Sequence, residues 1–340
     1  KPGINREGTD YSNEGGWFNG NLVRFRQGRP EKIGGWQKDT ETSYLGTARA
    51  LHGWVDTGGT KYLGLGTTLK YYVSTGQNFD DITPIRKTTT GGATFTSASG
   101  SSTITVTDSN HGAQANDFVT FGSTATLGTS NITATVLDQE YQIVSVPSAN
   151  TYTFTAKDTD GDTVTANATV SGGGGGSTTA AYQINVGLDV YVQSTGWGAS
   201  TWGTGTFGSS SALSSSNQLR LWSHDNFGED LLMNVRGGGI YYWDESGGAT
   251  VRAKPFTELT GANLVPTIAL QILVSDIDRH VICFGADAID DTNVRTGAAD
   301  PMLIAWSDQE NAVEWEPLST NTAGSLRLSA GSLIVGAMRA

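Results

Sequence analysis

One order of short strands and tight turns recurs three times along the chain, and this repetition constrains the fold more than any single motif. Candidate strands lie at 48–55, 61–66, 69–73 and 79–82 in the first copy, at 219–222, 230–235, 240–243 and from 251 in the second, and at 272–275, 280–284, 302–306 and 313–316 in the third. Four short strands per copy, each copy ending in an aromatic-bearing strand, predict the blades of a β-propeller. A β-sandwich is the alternative, because evenly spaced short strands suit both folds.

A second kind of sequence separates the first two copies. From about 87 to 176 the chain is dense in Thr, Ser, Ala and Gly, and alternating runs at 102–107, 117–121, 141–146 and 151–155 predict strands with one apolar face. We therefore expect an all-β protein of propeller-like blades with an inserted small β-barrel or sandwich. The glycine run between Ser171 and Ser177 predicts a flexible linker at the exit of this insertion, which would let it move relative to the main body.

Three copies do not complete a propeller, which typically has about 4–8 blades. Because the run 333–335 has the composition of a further strand, we expect the chain to continue beyond 340 or the architecture to differ. The predicted organisation is an N-terminal arm with opening strands at 1–43, a first blade at 44–86, the insertion at 87–181, further blades at 182–332 and the start of the next blade at 333–340.

Charge and cysteine content narrow the functional classes. The chain has 33 Asp and Glu against 21 Lys and Arg, a net charge of −12, which argues against a protein that grips DNA by its phosphates. The single cysteine, Cys283, excludes an internal disulfide framework and a cysteine-based zinc cluster. No stretch approaches the ~20 apolar residues that cross a bilayer, so we expect no membrane span.

Residues that could carry chemistry are few. The alternating carboxylates of Asp158–Asp162 suggest the opening of a calcium loop, but further oxygen ligands are missing and Asp-Gly is a turn signal. His52, His111, His224 and His280 lie far apart, which favours turn and sheet contacts over metal binding. There is no nucleophile elbow, and Gly237–Gly239 joins two strands rather than opening a helix. We predict no enzyme, no catalytic residue, no cofactor and no metal.

Two groups of residues are candidates for binding. Arg24, Arg26 and Arg29 form a basic run that could contact an acidic neighbouring subunit, with a solvated strand face as the alternative. The aromatic residues Trp197, Trp202 and Phe207 could form a sugar-binding surface, although aromatic residues at blade ends usually pack between blades.

One segment resembles a known turn. Trp306–Trp315 is similar to the Asp-box found between strands of sialidase-like propellers, with Ser307, Asp308 and a downstream Trp but without the usual central Gly. In those proteins the box is a structural turn remote from catalysis. The resemblance supports blades and implies no hydrolase.

Longer strings on both flanks of the insertion carry a second resemblance. They are Pro2–Gly8, Gly16–Trp17, Val23–Arg26, Pro30–Trp36, Gln218–Asp230, Gly237–Trp243, Val274–Val281, Trp306–Asn311 and Asn321–Leu328. Together they resemble virion structural proteins of short-tailed bacteriophages, in the tail nozzle or tail hub family. His111–Val119 is similar to a small β-barrel module common in phage proteins, with Asn116 where a Gly often precedes the Asp.

This resemblance implies a propeller-bearing subunit of the virion tail. Such subunits form a hexameric ring below the portal and adaptor, continue the DNA channel, retain the packaged genome and conduct it during ejection. The implied partners are further copies of the chain, the adaptor and portal-proximal proteins, tail fibres or spikes, and double-stranded DNA that passes without sequence-specific binding. A receptor-binding or glycan-binding tail module, using the insertion and residues 197–207, is the alternative.

Overall fold

A computed structural model describes residues 3–9, 11–35, 40, 42–76, 78–187 and 221–339. Over these residues the protein is nearly all β, with 25 strands, one helical turn at Ala134–Leu137 (α1) and two 3₁₀ turns at Glu245–Gly247 and Phe256–Glu258. The predicted all-β class is therefore confirmed. The chain divides into two compact units, Lys1–Glu41 and Thr42–Ala340.

The N-terminal unit contains one hairpin, β1 (Val23–Arg26) and β2 (Arg29–Lys32). Gln27 and Gly28 connect the strands with φ of 50° and 80°, as a two-residue hairpin turn requires. Trp17 packs edge-on against Phe25, with the ring centroids 6.1 Å apart. Val23 and Phe25 are thus half-buried, whereas the alternating Arg24 and Arg26 are exposed.

The first repeat copy forms one antiparallel sheet in chain order. Its strands are β3 (Ala48–Val55), β4 (Lys61–Thr67), β5 (Tyr71–Ser74) and β6 (Asp80–Asp81). One face carries Trp54, Tyr62 and Tyr71, and the other carries Leu51 and Val55, because side chains alternate along a strand.

The insertion forms two antiparallel sheets around its own core. The strands are β7 (Ile85–Thr90), β8 (Thr94–Ser97), β9 (Thr103–Thr107), β10 (Phe118–Gly122), β11 (Glu140–Gln142), β12 (Ser145–Ser148), β13 (Thr151–Thr155), β14 (Val170–Gly173) and β15 (Thr179–Gln183). The sheet orders are β11-β10-β15-β7 and β12-β13-β9-β8-β14. Phe95, Phe121 and Phe154 meet in the core between them. The run 141–146, predicted as one strand, is divided because the chain there passes from one sheet to the other.

The glycine run differs from the expected flexible linker. Val170–Gly173 is strand β14, which pairs with β8. The Gly174 carbonyl then accepts hydrogen bonds from Ala125 N and Thr178 Oγ1, both at 2.7 Å. Gly174 has φ of 109° and lies so close to the Phe95 ring that a Cβ would collide with it. Glycine is required here for close packing and left-handed backbone rather than for freedom of movement.

The second and third copies form two further four-stranded antiparallel sheets. The second contains β16 (Trp222–Phe227), β17 (Asp230–Val235), β18 (Ile240–Trp243) and β19 (Lys254–Pro255). The third contains β20 (Gln271–Val274), β21 (Val281–Phe284), β24 (Leu303–Trp306) and β25 (Gly324–Arg327), with a separate hairpin of β22 (Asp287–Ile289) and β23 (Arg295–Ala299) between β21 and β24.

One predicted strand of the third copy and the predicted first strand of the next blade do not form. Residues 313–316 lie outside the sheet, and the fourth strand of the sheet is β25 instead. The loop before β25 is held by the Asp308 carboxylate, which accepts hydrogen bonds from Thr322 N (2.9 Å) and Thr322 Oγ1 (2.7 Å). Residues 333–335 are also not a strand; the segment instead bonds to the third sheet through Gln271 and Ala337.

The three sheets pack face to face through two apolar layers. The layer between the first and second sheets includes Tyr71, Trp222 and Trp243, and the layer between the second and third includes Leu232, Ile272 and Cys283. The first strand of each sheet contacts the first strand of the next, β3 with β16 and β16 with β20.

Candidate functional site

A cluster of four charged side chains lies where the insertion meets the first and second sheets. Lys70 Nζ is 2.6 Å from Asp81 Oδ2 and 2.5 Å from Glu140 Oε2. Arg252 Nη2 lies 3.1 Å from each of the same two carboxylates. The Lys70 side chain is only 3% exposed, so its charge is withdrawn from water and balanced by the two acids. We call these four residues the junction cluster.

Local structure positions each member of the junction cluster. Thr67 Oγ1 accepts hydrogen bonds from the Leu69 and Lys70 amides, which fixes the turn before β5. Asp81 ends β6 and Glu140 begins β11 of the insertion. The Lys70 ammonium also lies 4.5 Å from the centroid of the Phe118 ring on β10. Residues of the first sheet thus reach across to two strands of the insertion.

Neutral contacts reinforce this junction. Gln183 Nε2 donates to the Leu69 carbonyl at 2.8 Å, and Asn185 Nδ2 donates to Asp117 Oδ1 at 2.6 Å. Arg252 Nη1 donates to the Thr83 carbonyl at 3.1 Å. The Gln183 bond and the junction cluster hold the insertion against the sheets, in contrast to the loosely attached module that the sequence predicts. The Arg252–Thr83 bond instead joins the second copy to the end of the first.

A groove runs beside the junction cluster. Its volume is about 450 Å³, and its walls are residues 85–88 of β7 and residues 251–255 with Glu258 from the second sheet. Four basic side chains line it, Arg86, Lys87, Arg252 and Lys254, against the single acid Glu258. The groove is therefore basic within a strongly acidic chain.

Two histidines meet between the first and second sheets. The rings of His52 on β3 and His224 on β16 are 4.8 Å apart. His224 Nδ1 is 3.0 Å from the Tyr71 hydroxyl, and His52 Nε2 is 2.6 Å from Asn226 Oδ1. Burial, with a smaller contribution from the nearby His52, lowers the pKa of His224 to about 4. Both histidines therefore serve sheet packing, as expected.

The other two histidines also make structural contacts. His111 is fully buried in the insertion against Tyr152 and Tyr182, and burial lowers its pKa. His280 Nδ1 lies 2.7 Å from the carbonyl of Ser307, at the start of the segment that resembles an Asp-box. In that segment Trp315 is 1% exposed and Asp308 N donates to the Glu314 carbonyl, so the turn closes on a buried Trp.

The candidate metal residues form a turn. Asp158 Oδ1 accepts hydrogen bonds from the amides of Asp160 (3.0 Å) and Asp162 (2.9 Å), and Gly161 adopts φ of 89°. Within the described ranges, no three His, Cys, Asp or Glu side chains are placed to hold a metal ion. Burial raises the pKa of the Cys283 thiol well above its usual range, so this cysteine is an inert core residue.

The three candidate arginines share one face of the N-terminal hairpin. Arg26 lies opposite Arg29, and Arg24 lies opposite Glu31 with 3.2 Å between Nε and Oε2. All three arginines are exposed. Trp197, Trp202 and Phe207 fall outside the described residues. No helix in the described part of the chain is long and apolar enough to span a membrane.

The sequence did not single out the junction cluster. Lys70 is 11 residues from Asp81 and 70 from Glu140, and Glu140 is 112 residues from Arg252, so no short motif links them. One signal was present: a lysine, Lys70, stands in the otherwise apolar and aromatic run Leu69–Val73.

Comparisons with known proteins include a distant structural neighbour. No protein-family model and no curated protein matches the chain. Among solved structures, the phage phi92 endosialidase is similar, with 12% identity and a TM-score of 0.22 over 88% of this chain. The match spans 40% of the endosialidase chain. A TM-score this low carries no argument about the function of this protein.

Proposed function

We propose that the chain is a structural subunit of a short bacteriophage tail. In this role it forms a hexameric nozzle or hub ring below the portal and adaptor, retains the packaged genome and conducts DNA during ejection. The chain would then reside in the virion tail and catalyse no reaction. The resemblance of the flanking strings to tail structural proteins suggests this role.

The observation that carries the proposal is the order of the three sheets. Their first strands touch in sequence, and apolar faces pack between them, as in consecutive blades of a propeller. The outer faces of the stack are apolar too: Leu51 and Val55 on the first sheet are 64% and 59% exposed, and Leu326 on the third is 56% exposed. Large exposed apolar residues on a stacked sheet favour an assembly in which further sheets or subunits cover them.

The acidic balance suits a conduit for DNA. A net charge of −12 repels phosphate groups, so DNA would slide through an acidic channel instead of adhering to its wall. Channel-facing side chains that are mostly Lys and Arg would contradict this part of the proposal.

The arginine face of the N-terminal hairpin is the proposed contact with an adjacent subunit. Arg24, Arg26 and Arg29 are exposed and only Arg24 has an acidic partner among the described residues. The double substitution Arg26→Glu, Arg29→Glu should therefore prevent ring formation without unfolding the chain.

The experiment that tests the function is the mass of the full-length protein in solution with its appearance by electron microscopy, alone and mixed with portal and adaptor. A six-fold ring with an axial hole, free or bound to the adaptor, supports the proposal. A persistent monomer or trimer that ignores the adaptor contradicts it.

A second function, glycan binding by a tail module, is favoured by one crevice. It has a volume of about 250 Å³ and is lined by residues of the first sheet and the insertion, including Gln114, Asn116 and Gln142. No charged side chain lines it, which suits a neutral polyhydroxylated ligand. Binding to host surface glycan that Gln142→Ala abolishes, in a protein that forms no ring, would favour this function over the nozzle.

A further inference from the structure

The basic groove beside the junction cluster borders a free strand edge. Four consecutive residues of β7, from Ile85 to Thr88, line the groove. The pairing of β7 with β15 shifts between Ile85 and Lys87, so side-chain alternation is interrupted at Arg86 and the side chains of Arg86 and Lys87 both reach the turn at 110–111. β7 is the terminal strand of its sheet, and β15 is the strand that pairs with it in the described part of the chain. On the opposite wall, β19 is also a terminal strand.

Most of the positive charge in this groove is uncompensated. Arg86 Nη2 and Lys87 Nζ donate to the carbonyls of His111 and Asn110, both at 3.0 Å, which are neutral acceptors. Lys254 is exposed and pairs with no acid among the described residues.

Nearby acids leave that excess in place. Arg252 is matched by Asp81 and Glu140 of the junction cluster. The carboxylate of Asp108 does not line the groove; it is buried and accepts hydrogen bonds from Thr89 and Tyr182, both at 2.6 Å. At the surface, Glu258 alone offsets three cations.

We propose that this groove binds an extended acidic peptide segment of a neighbouring tail protein, which adds to the edge of β7 as a further strand. The free edge supplies backbone hydrogen bonds, and the lysines supply specificity for alternate acidic side chains. The choice of a tail protein as the source rests on the function proposed above. The chemistry of the groove does not depend on it.

Nucleic acid fits the same groove less well. A nucleic acid carries a negative charge at every nucleotide, so a phosphate would lie beside Glu258 and be repelled by it. The net charge of −12 of the chain would add to this repulsion. A peptide can place a neutral residue beside Glu258 and still use the amides and carbonyls of β7. The groove geometry therefore favours the peptide.

The test uses a fluorescein-labelled peptide of alternating Glu and Val, with two matched probes: a Gln-Val peptide, and a Glu-Val peptide with alternate backbone nitrogens methylated. Binding is measured by fluorescence anisotropy at low ionic strength and at about 0.15 M salt. The protein variants are Lys87→Glu, Lys254→Glu and the milder Lys254→Gln. Lys61→Glu is the control, because Lys61 is an exposed lysine on β4 outside the groove.

The proposal predicts binding of the acidic peptide that each of Lys87→Glu and Lys254→Glu weakens about tenfold, equivalent to ~1.4 kcal/mol. Lys254→Gln should have a smaller effect, Lys61→Glu should change binding less than about twofold, and the Gln and methylated peptides should both bind more weakly. Circular dichroism confirms that each variant is folded.

Several results would overturn the proposal: no binding by the wild-type chain, equal binding by the groove variants and the control, undiminished binding of the methylated peptide, or tighter binding of a single-stranded oligonucleotide at the lysines. The experiments distinguish a failure of peptide binding in the groove from a failure of the proposed nozzle function. A chain that forms rings but does not bind the peptide overturns only the groove, whereas a chain that binds the peptide without forming rings contradicts only the nozzle.

Discussion

The first and second sheets meet each other through aromatic rings, whereas the insertion meets the same two sheets through charges. Between the sheets, Trp243 packs edge-on against Tyr62 at 5.9 Å and Trp222 packs edge-on against Tyr71 at 4.9 Å. At the insertion, Lys70 and Arg252 bridge the two carboxylates of the junction cluster.

The difference has consequences for specificity and for solution conditions. Aromatic packing is stabilised mainly by the burial of apolar surface, which is non-directional and tolerates salt. An ionic cluster fixes one geometry and weakens as charges are removed or screened. The first and second sheets are thus joined by apolar packing that tolerates salt. The insertion is joined to them by an ionic cluster that specifies a single position.

Removing the central charge of the junction cluster should have the largest effect. Lys70→Met leaves Asp81 and Glu140 close together with Arg252 as their remaining cation. Because the lysine is buried, we expect the free energy of unfolding to fall by about 4 kcal/mol, measured by urea denaturation. Lys61→Met, at an exposed position, is the control. A loss below about 1 kcal/mol for Lys70→Met would mean that the cluster contributes no more than a surface ion pair.

Acid should weaken the aromatic interface through His224. Its pKa is about 4 in the folded chain against 6.5 for an unperturbed histidine, so the unfolded chain binds the extra proton between these values. The stability that depends on neutral His224 is complete above pH 6.5, decreases as the pH falls, and has dropped by about 3 kcal/mol at pH 4.

The measurement is urea denaturation across this pH range for the wild type and for His224→Gln. Carboxylates contribute to both pH profiles, so the difference between the two profiles isolates the histidine. Identical pH dependence in the two proteins would show that His224 is not held neutral by the interface.

Added volume at the aromatic interface should be costly. A Cβ on Gly66 of β4 would overlap the ring of Trp222, whereas a Cβ on Gly53 of β3 would meet its nearest atom, the Tyr62 carbonyl oxygen, at 3.9 Å. We expect Gly66→Ala to lower the free energy of unfolding by about 2 kcal/mol. The matched variant Gly53→Ala should be close to neutral. Equal effects of the two substitutions in thermal or urea unfolding would place Trp222 elsewhere.

The smallest expected effect is a difference in salt dependence between the coupling energy in the junction cluster and the coupling energy at the aromatic interface. Glu140 and Arg252 are each 29% exposed, so a double-mutant cycle of Glu140→Gln and Arg252→Gln should give a coupling energy of about 1 kcal/mol. That coupling should decrease in ~1 M salt. A parallel cycle of Trp54→Leu and Trp243→Leu, whose ring centroids are 6.3 Å apart, should keep its coupling in the same salt. Salt sensitivity in both cycles would remove the distinction.

The sequence predicted local alternation well and long-range charge pairing poorly. Runs such as Thr151–Thr155 place apolar side chains on one face, and this period of two is visible without any knowledge of neighbours. The repeated order of strands likewise predicted three sheets.

The errors arose where tertiary contacts decide the outcome. The glycine run ending at Gly176 is read from composition as a linker, but its backbone packs on Phe95, which lies far away in sequence. The junction cluster was missed because Lys70 and Arg252 come to share the carboxylates of Asp81 and Glu140 only in the folded chain. Residues 313–316 have the composition of a strand, yet the bonds between Asp308 and Thr322 route the chain elsewhere.

The central claim is that the junction cluster fixes the insertion against the stack. The most direct measurement is the distance distribution between spin labels at Ala149→Cys, on an exposed turn of the insertion, and Ile277→Cys, which is 90% exposed on the third sheet. Pulsed electron resonance of the full chain should give one narrow distance that broadens in Lys70→Met. A broad distribution in the unaltered background, unchanged by Lys70→Met, would show that the insertion moves freely and would contradict the account.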